Sequence, residues 1–123
     1  MDAKYPISFY QSLGNLFYAI SASDKRVDQQ EINRLKELIA TEWERDVHLE
    51  HLEKTFNRLM KEQAPSAICF DAFVKYKNEN RSLFSDGLNR LILHTAGAIA
   101  SSFSKRNKSE LMILAKLTLE LRN

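Results

Sequence analysis

Apolar residues in the first third of the chain recur at steps of three and four, which is the spacing of one buried helical face. A first helix carries Phe9, Leu13, Leu16, Phe17 and Ile20 and is predicted to end near Ser23. A second is predicted to start at Asp28 and to bury Ile32, Leu35, Leu38 and Ile39, with Trp43 closing the stripe. A third could start at Arg45–Asp46 and bury Leu49, Leu52, Phe56, Leu59 and Met60.

Ala64–Pro65–Ser66 is the clearest helix breaker in the middle of the chain. A short helix should follow, anchored by Ile68, Phe70, Phe73 and Val74. Residues 75–82 are polar and predict a loop, or a helix end that frays into one. Apolar residues recur at helical spacing again from Ser85 to about Phe103 and from Asn107 to about Leu121, which predicts two further helices. The last segment is apolar nearly all round, so we expect it to be buried centrally or covered by a partner.

The sequence matches itself weakly after a shift of 79 positions. Residues 19–23 align with residues 98–102, Glu31 with Glu110, and Asp28 with Asn107. Each half then contains a helix rich in small residues, a polar loop and a helix that begins with a capping residue three positions before a glutamate. No segment alternates with period two. We therefore predict an all-α fold, an irregular bundle of about six helices with a helix-loop-helix pseudo-repeat.

Composition supports one folded domain over residues 1–123. The chain is 44% hydrophobic and 28% charged, which excludes an intrinsically disordered protein. A net charge of +2 disfavours a dedicated nucleic-acid binder. The one cysteine, Cys69, excludes an internal disulfide and a multi-cysteine zinc site; we expect it to be a small buried residue. Neither a transmembrane-length apolar run nor a secretory leader is evident, which predicts a cytoplasmic protein.

The segment from Leu16 to Ile32, LFYAISASDKRVDQQEI, resembles the loop of the TerB-like domain, named after a bacterial tellurite-resistance protein. Residues 96–117 look like the second copy of that unit. The resemblance implies an all-helical domain in a bacterial cytoplasm, associated with stress or tellurite resistance and with membrane-linked or chaperone-like assemblies. It also implies possible metal ligands, since Asp24, Asp28 and Glu31 occupy the family's acidic positions. The second loop departs from the pattern at Phe103 and Asn107.

Taken as residues, this acidic loop is an incomplete cation site. Calcium prefers six to eight oxygen ligands, and in an EF-hand alignment the first and third ligand positions fall on Ile20 and Ala22. The alternative is that Asp28 and Glu31 cap the second helix. Capping is favoured because it explains two of the three acidic residues. If a cation does bind, calcium, magnesium, manganese and zinc are the candidates.

Glu44, His48 and His51 are a second candidate metal set. If one helix ran through this stretch, steps of four and three would place them on the same side, and two imidazoles with a carboxylate suit a divalent transition metal. A helix break at Asp46 would remove that alignment, and a solvated charged face is the favoured alternative. His94 is predicted to be a partly buried, hydrogen-bonded histidine.

The sequence lacks the glycine loops and nucleophile motifs of common enzymes, so we expect a non-enzyme. The leading hypothesis is an interaction module that binds a protein partner or a second copy of itself. Basic residues at the two loops (Lys25, Arg26, Lys105, Arg106 and Lys108) could add contact with a phosphate, an acidic partner or an anionic membrane, or be solvated loop charges. Tyr5, Tyr10, Tyr18 and Tyr76 suit an interface or the edge of the core. The hypothesis predicts an apolar patch exposed on the folded protein.

Overall fold

The protein is described here by a computed structural model, which covers residues 3–24, 27–101 and 108–122. These residues form six α-helices and one short 3₁₀-helix, Arg81–Leu83, with no strand among them. In chain order the helices are α1 (Ile7–Ser21), α2 (Gln29–Thr41), α3 (Glu50–Glu62), α4 (Ser66–Glu79), α5 (Asp86–Ser101) and α6 (Lys108–Arg122). The all-α prediction is confirmed. Of the described helices, none is both long enough and apolar enough to cross a bilayer.

Helix α1 is the centre of the bundle and packs against α3, α4, α5 and α6. Eleven of its fifteen residues are buried, including the whole predicted apolar stripe. Gly14 lets α3 approach closely, because a Cβ at this position would lie 2.7 Å from the Leu52 carbonyl oxygen. One turn further along α1, the Phe17 ring meets Trp43 edge-on with centroids 6.3 Å apart. The Trp43 indole donates to Thr95 Oγ1 on α5 over 3.0 Å.

The helix boundaries follow the predicted repeat. Helix α5 starts at residue 86 and α6 at residue 108, each 79 positions after the starts of α1 at residue 7 and α2 at residue 29. Asp28 caps α2 as predicted: its side chain accepts from the Gln30 amide, and the Glu31 side chain reaches back to the Asp28 amide. The corresponding cap, Asn107, lies outside the described residues, as do Phe103 and the basic residues at 25, 26, 105 and 106.

The predicted third helix starts later than residues 45–46, at Glu50. Asp46 is instead the anchor of the N-terminal segment. Its Oδ2 accepts from the backbone amides of Lys4 and Tyr5 over 2.9 and 3.2 Å and from the Tyr10 hydroxyl over 2.9 Å. Its Oδ1 accepts from the His48 amide at 2.8 Å. This network holds residues 44–49 in an extended and turn conformation that a helix would break.

Of the two alternatives for residues 75–82, the structure shows the helix end, because α4 continues to Glu79 before the short 3₁₀-helix begins. Lys77 is the reason the polar stretch stays helical. It is 2% exposed, and its ammonium lies 3.5 Å from the Glu120 carboxylate and also donates to the Glu120 carbonyl on α6. A buried lysine with this pairing ties α4 to the last helix. Ile68, predicted to anchor α4, is 65% exposed and contributes nothing to the core.

Helix α6 is buried along one face, not all round. Ile113, Leu117 and Leu121 face the bundle together with Glu110. The opposite side consists of exposed residues, which we call the outer face of α6: Lys108, Leu111, Met112, Ala115, Lys116, Leu119 and Arg122. The prediction of a centrally buried last helix is therefore wrong, and its alternative, cover by a partner, stays a prediction.

Candidate functional site

The three large apolar side chains on the outer face of α6 are among the most exposed in the described structure. Leu111 is 49%, Met112 55% and Leu119 61% exposed. Leu111, Ala115 and Leu119 follow one another at steps of four, so their side chains form a continuous row along the helix. Other exposed large hydrophobics, such as Ile68 and Val47, sit elsewhere in the chain. The row is thus the clearest concentration of apolar surface that the fold leaves uncovered.

A groove borders the outer face of α6 on each side. Toward α4, a cavity of about 280 Å³ is lined by Met112 and Lys116 of α6 and by Phe70 and Asp71 of α4. Toward α5, a cavity of about 340 Å³ lies between Thr118 and Arg122 of α6 and Arg90 of α5. The apolar row therefore forms a ridge between two shallow depressions, a shape that can receive the side chains of a second helix.

The predicted tyrosine interface is not what the structure shows. Tyr10 and Tyr18 are 2% and 3% exposed. The Tyr18 hydroxyl donates to the Ala64 carbonyl over 2.8 Å, and burial raises its pKa. The Tyr76 hydroxyl lies 3.0 Å from Ser8 Oγ, joining α4 to α1. These side chains hold the domain together, in agreement with the alternative that placed them at the edge of the core.

The acidic loop brings together a different pair of carboxylates from the one expected. Glu31 and Glu110 are each 3% exposed, and Glu110 lies near enough to raise the pKa of Glu31. Each is the third residue of its helix, so two helix N-termini converge on this pair. Burial raises the pKa of Glu31 to about 8; the Asp28 amide opposes this rise, while Glu110 and then Asp24 add to it. The 79-residue repeat had aligned Glu31 with Glu110 without indicating that they lie near each other.

Asp28 acts as the helix cap, whereas Asp24 contributes its charge to the pair. Three buried oxygens between the end of α1 and the first turn of α2 have no hydrogen-bond partner among the described residues: Ser21 Oγ, Ser23 Oγ and Glu31 Oε2. Nevertheless, across residues 3–24, 27–101 and 108–122 no three His, Cys, Asp or Glu side chains are grouped so that they could hold a metal ion. The metal site at Asp24, Asp28 and Glu31 stays a prediction.

The second metal set does not share a helix face. Residues 44–49 precede α3, so the condition for aligning Glu44, His48 and His51 is not met. Glu44 forms an exposed ion pair with Lys4 over 2.8 Å, and His48 Nδ1 lies 2.9 Å from the Tyr5 carbonyl oxygen. The His48 and His51 rings meet edge-on, 6.3 Å apart. Glu44 and His48 are thus held by contacts with the N-terminal segment, and His51 contacts the His48 ring.

Two further side chains bear on chemistry. Cys69 is buried, as predicted, and burial raises the pKa of its thiol, which disfavours a reactive thiolate. His94 is exposed, not partly buried, and its Nε2 lies 2.9 Å from Glu42. It links α5 to the end of α2 at the surface.

Comparison of the chain with protein-family models, with curated proteins and with solved structures gave no match. Any statement of function therefore rests on this geometry and on the sequence.

Proposed function

We propose that this protein is a non-enzymatic docking domain that binds another protein through the outer face of α6. The observation that carries the proposal is the exposure of Leu111, Met112 and Leu119 on one face of a helix whose other face is packed against the bundle. Exposed apolar faces of this kind are costly in water and are typical of interaction sites. Most of the other large apolar side chains are buried in the core.

The attachment of α6 suits such a role. Ile113, Leu117 and Leu121 bury its inner face, and the Lys77 ammonium on α4 binds both the carbonyl and the carboxylate of Glu120. The helix thus presents its outer face from a fixed backbone, which lowers the entropy lost on binding. Our proposal includes a bacterial cytoplasmic setting and a stress or tellurite response, which the resemblance of residues 16–32 to the TerB-like domain supports. That placement rests on the resemblance alone.

Site-specific photo-crosslinking in cells tests the proposal. A photoreactive phenylalanine analogue replaces Met112 or Leu119, and the matched control carries it at Lys75, an exposed position on α4. We expect discrete protein adducts of the same mass from positions 112 and 119 and none from position 75. The same adduct pattern at all three positions, or none at 112 and 119, would contradict the proposal.

A second candidate function is divalent-cation binding at the Glu31–Glu110 pair. It is favoured by one observation, the buried Glu31 Oε2 without a hydrogen-bond partner beside a second buried carboxyl group. A cation there would displace the proton that the raised pKa of Glu31 retains, so binding should strengthen as the pH rises from 6 to 9.

Thermal melting after chelator treatment tests this candidate, with calcium, magnesium, manganese and zinc added one at a time. A saturating rise in melting temperature that Glu31→Gln abolishes and Glu44→Gln leaves intact would support it. A flat response to all four ions at pH 8.5 would reject it.

A further inference from the structure

The charges on the outer face of α6 are all of one sign. Lys108, Lys116 and Arg122 are exposed, while the two carboxylates of the helix lie elsewhere: Glu110 is buried, and Glu120 pairs with Lys77. None of the three cations forms an ion pair with a described residue. The chain as a whole carries nearly equal numbers of basic and acidic side chains, 18 and 16, so this local excess is not a consequence of composition.

The cations are placed at the margins of the apolar row. Lys116 lines the groove toward α4, and Arg122 lines the groove toward α5, where Arg90 joins it. Lys108 marks the N-terminal end of the row. Asp71 and Asp86 also line these grooves, one in each. With four cations and two carboxylates, the ridge and its grooves are net positive.

The arrangement of charges and grooves favours some partners of the outer face of α6 over others. In a two-fold dimer through α6, the same net positive surface would meet itself, and the two carboxylates of each copy, Asp71 and Asp86, are too few to balance its four cations. Like charges brought together in this way oppose association. A flat anionic membrane would contact the ridge but leave the two grooves unfilled. A helix with an apolar stripe and acidic flanks would fill a groove and neutralise the cations at once.

We propose that the partner bound by the outer face of α6 is an amphipathic helix whose apolar stripe is flanked by Asp or Glu. This inference rests on the proposed docking function and adds the chemistry of the partner to it. Leu111, Met112 and Leu119 contact the apolar stripe of that helix. Lys116 and Arg122, on the two sides of the row, pair with its acidic flanks and fix its orientation.

Two synthetic peptides of about twenty residues test the proposal. Both carry the same leucine stripe at helical spacing, with glutamates at the flanking positions of one and lysines at those of the other. We expect the purified protein to bind the acidic peptide at least about tenfold more tightly, measured by fluorescence anisotropy, because several exposed charge pairs each add a small amount. Raising the salt concentration should narrow the difference.

Charge-reversed variants make the test specific to α6. Lys116→Glu with Arg122→Glu should lose or invert the preference, whereas the matched control Lys75→Glu, an equally exposed change of charge on α4, should keep it. Circular dichroism melting of each variant verifies that it remains folded. Because the substituted side chains are exposed, we expect melting temperatures close to that of the parent protein.

Three other outcomes would overturn the proposal of an acidic helical partner. The docking function itself is tested separately, by photo-crosslinking. Equal binding of both peptides, or binding of neither, would reject acidic complementarity. Binding to vesicles containing phosphatidylglycerol but to neither peptide would assign the face to a lipid surface. Concentration-dependent dimerisation that Leu119→Asp abolishes, with neither peptide bound, would assign it to a second copy of the chain.

Discussion

Helices α1 and α6 are both fifteen residues long and both rich in apolar side chains, yet the fold treats them in opposite ways. Helix α1 buries eleven residues and touches four other helices, whereas α6 buries four. The difference lies in what surrounds each helix, since both sequences offer apolar residues on more than one face. Apolar content thus indicates that a surface is to be covered, but not whether the chain itself covers it.

The first way to test this comparison is to remove one apolar side chain from each helix. Phe17→Ala in α1 should lower the free energy of unfolding by about 3–5 kcal/mol, because it leaves a large cavity beside Trp43. Leu119→Ala in α6 should change it by less than about 0.5 kcal/mol. Urea denaturation measures both. Similar losses for the two variants would mean that the outer face of α6 is packed in solution.

Two glycines, one in a close helix contact and one in open space, test the packing around α1 in a second way. Gly14→Ala should destabilise the protein by about 1–3 kcal/mol, since the new methyl group would lie 2.7 Å from the Leu52 carbonyl oxygen and from Thr55 Cβ. Gly97→Ala in α5 is the matched control, because its Cβ would meet nothing within 4 Å. Alanine favours a helix interior over glycine, so the control should gain about 0.5–1 kcal/mol. If Gly14→Ala did not change the stability, α1 and α3 would have to lie further apart than the structure shows.

The buried carboxyl group of Glu31 predicts that the stability of the protein depends on pH. The pKa of Glu31 is raised to about 8, so the native state retains a proton that the unfolded state loses above its ordinary pKa. Glu31 therefore lowers stability progressively as the pH rises from about 4.5 to 8. Glu31→Gln should be close to neutral at pH 5 and stabilising by about 1–2 kcal/mol at pH 9. Denaturation curves of both proteins at pH 5 and pH 9 measure this. The same difference in stability between variant and parent at both pH values would contradict the prediction.

Substitution of Asp46 should have the smallest effect on stability, and its pH dependence should be opposite in sign to that of Glu31. Burial acts to raise its pKa, but hydrogen bonds from the His48 amide, the Tyr10 hydroxyl and the amides of Lys4 and Tyr5 outweigh it, so the pKa is lowered. Its stabilising contribution is present above the ordinary pKa of Asp and is lost as the pH falls through the folded value. Asp46→Asn should cost about 1 kcal/mol at pH 7 and less at pH 3, measured by thermal melting. An equal cost at both values would contradict the assignment.

Local patterns predicted most of the helices correctly because capping and periodicity act over a few residues. The Asp28–Glu31 cap and the α1 stripe are of this kind. Errors and open alternatives arose where distant residues decide the structure. Asp46 stops α3 from starting early through contacts with residues 41 and 42 positions away, and Lys77 stays in α4 through a contact 43 positions away.

The candidate sites show the same limit. The sequence shows that α6 is apolar nearly all round, but which of its apolar side chains are exposed depends on the face that packs against the bundle. The repeat aligned Glu31 with Glu110, but only the fold buries both side chains and brings Glu110 near enough to raise the pKa of Glu31. The Glu44–His48–His51 set required a continuous helix, which the anchoring of the N-terminal segment by Asp46 prevents.

The exposure of the outer face of α6 in the free protein is the central claim, and methionine methyl groups report on it directly. Met60 is partly buried against the core, whereas Met112 is 55% exposed on α6. In a ¹³C-methyl-methionine NMR spectrum of a dilute sample, a soluble gadolinium chelate should broaden the Met112 signal, assigned with Met112→Leu, far more than that of Met60. Equal protection of the two methyl groups would contradict the account, because the outer face of α6 would then be covered without any partner.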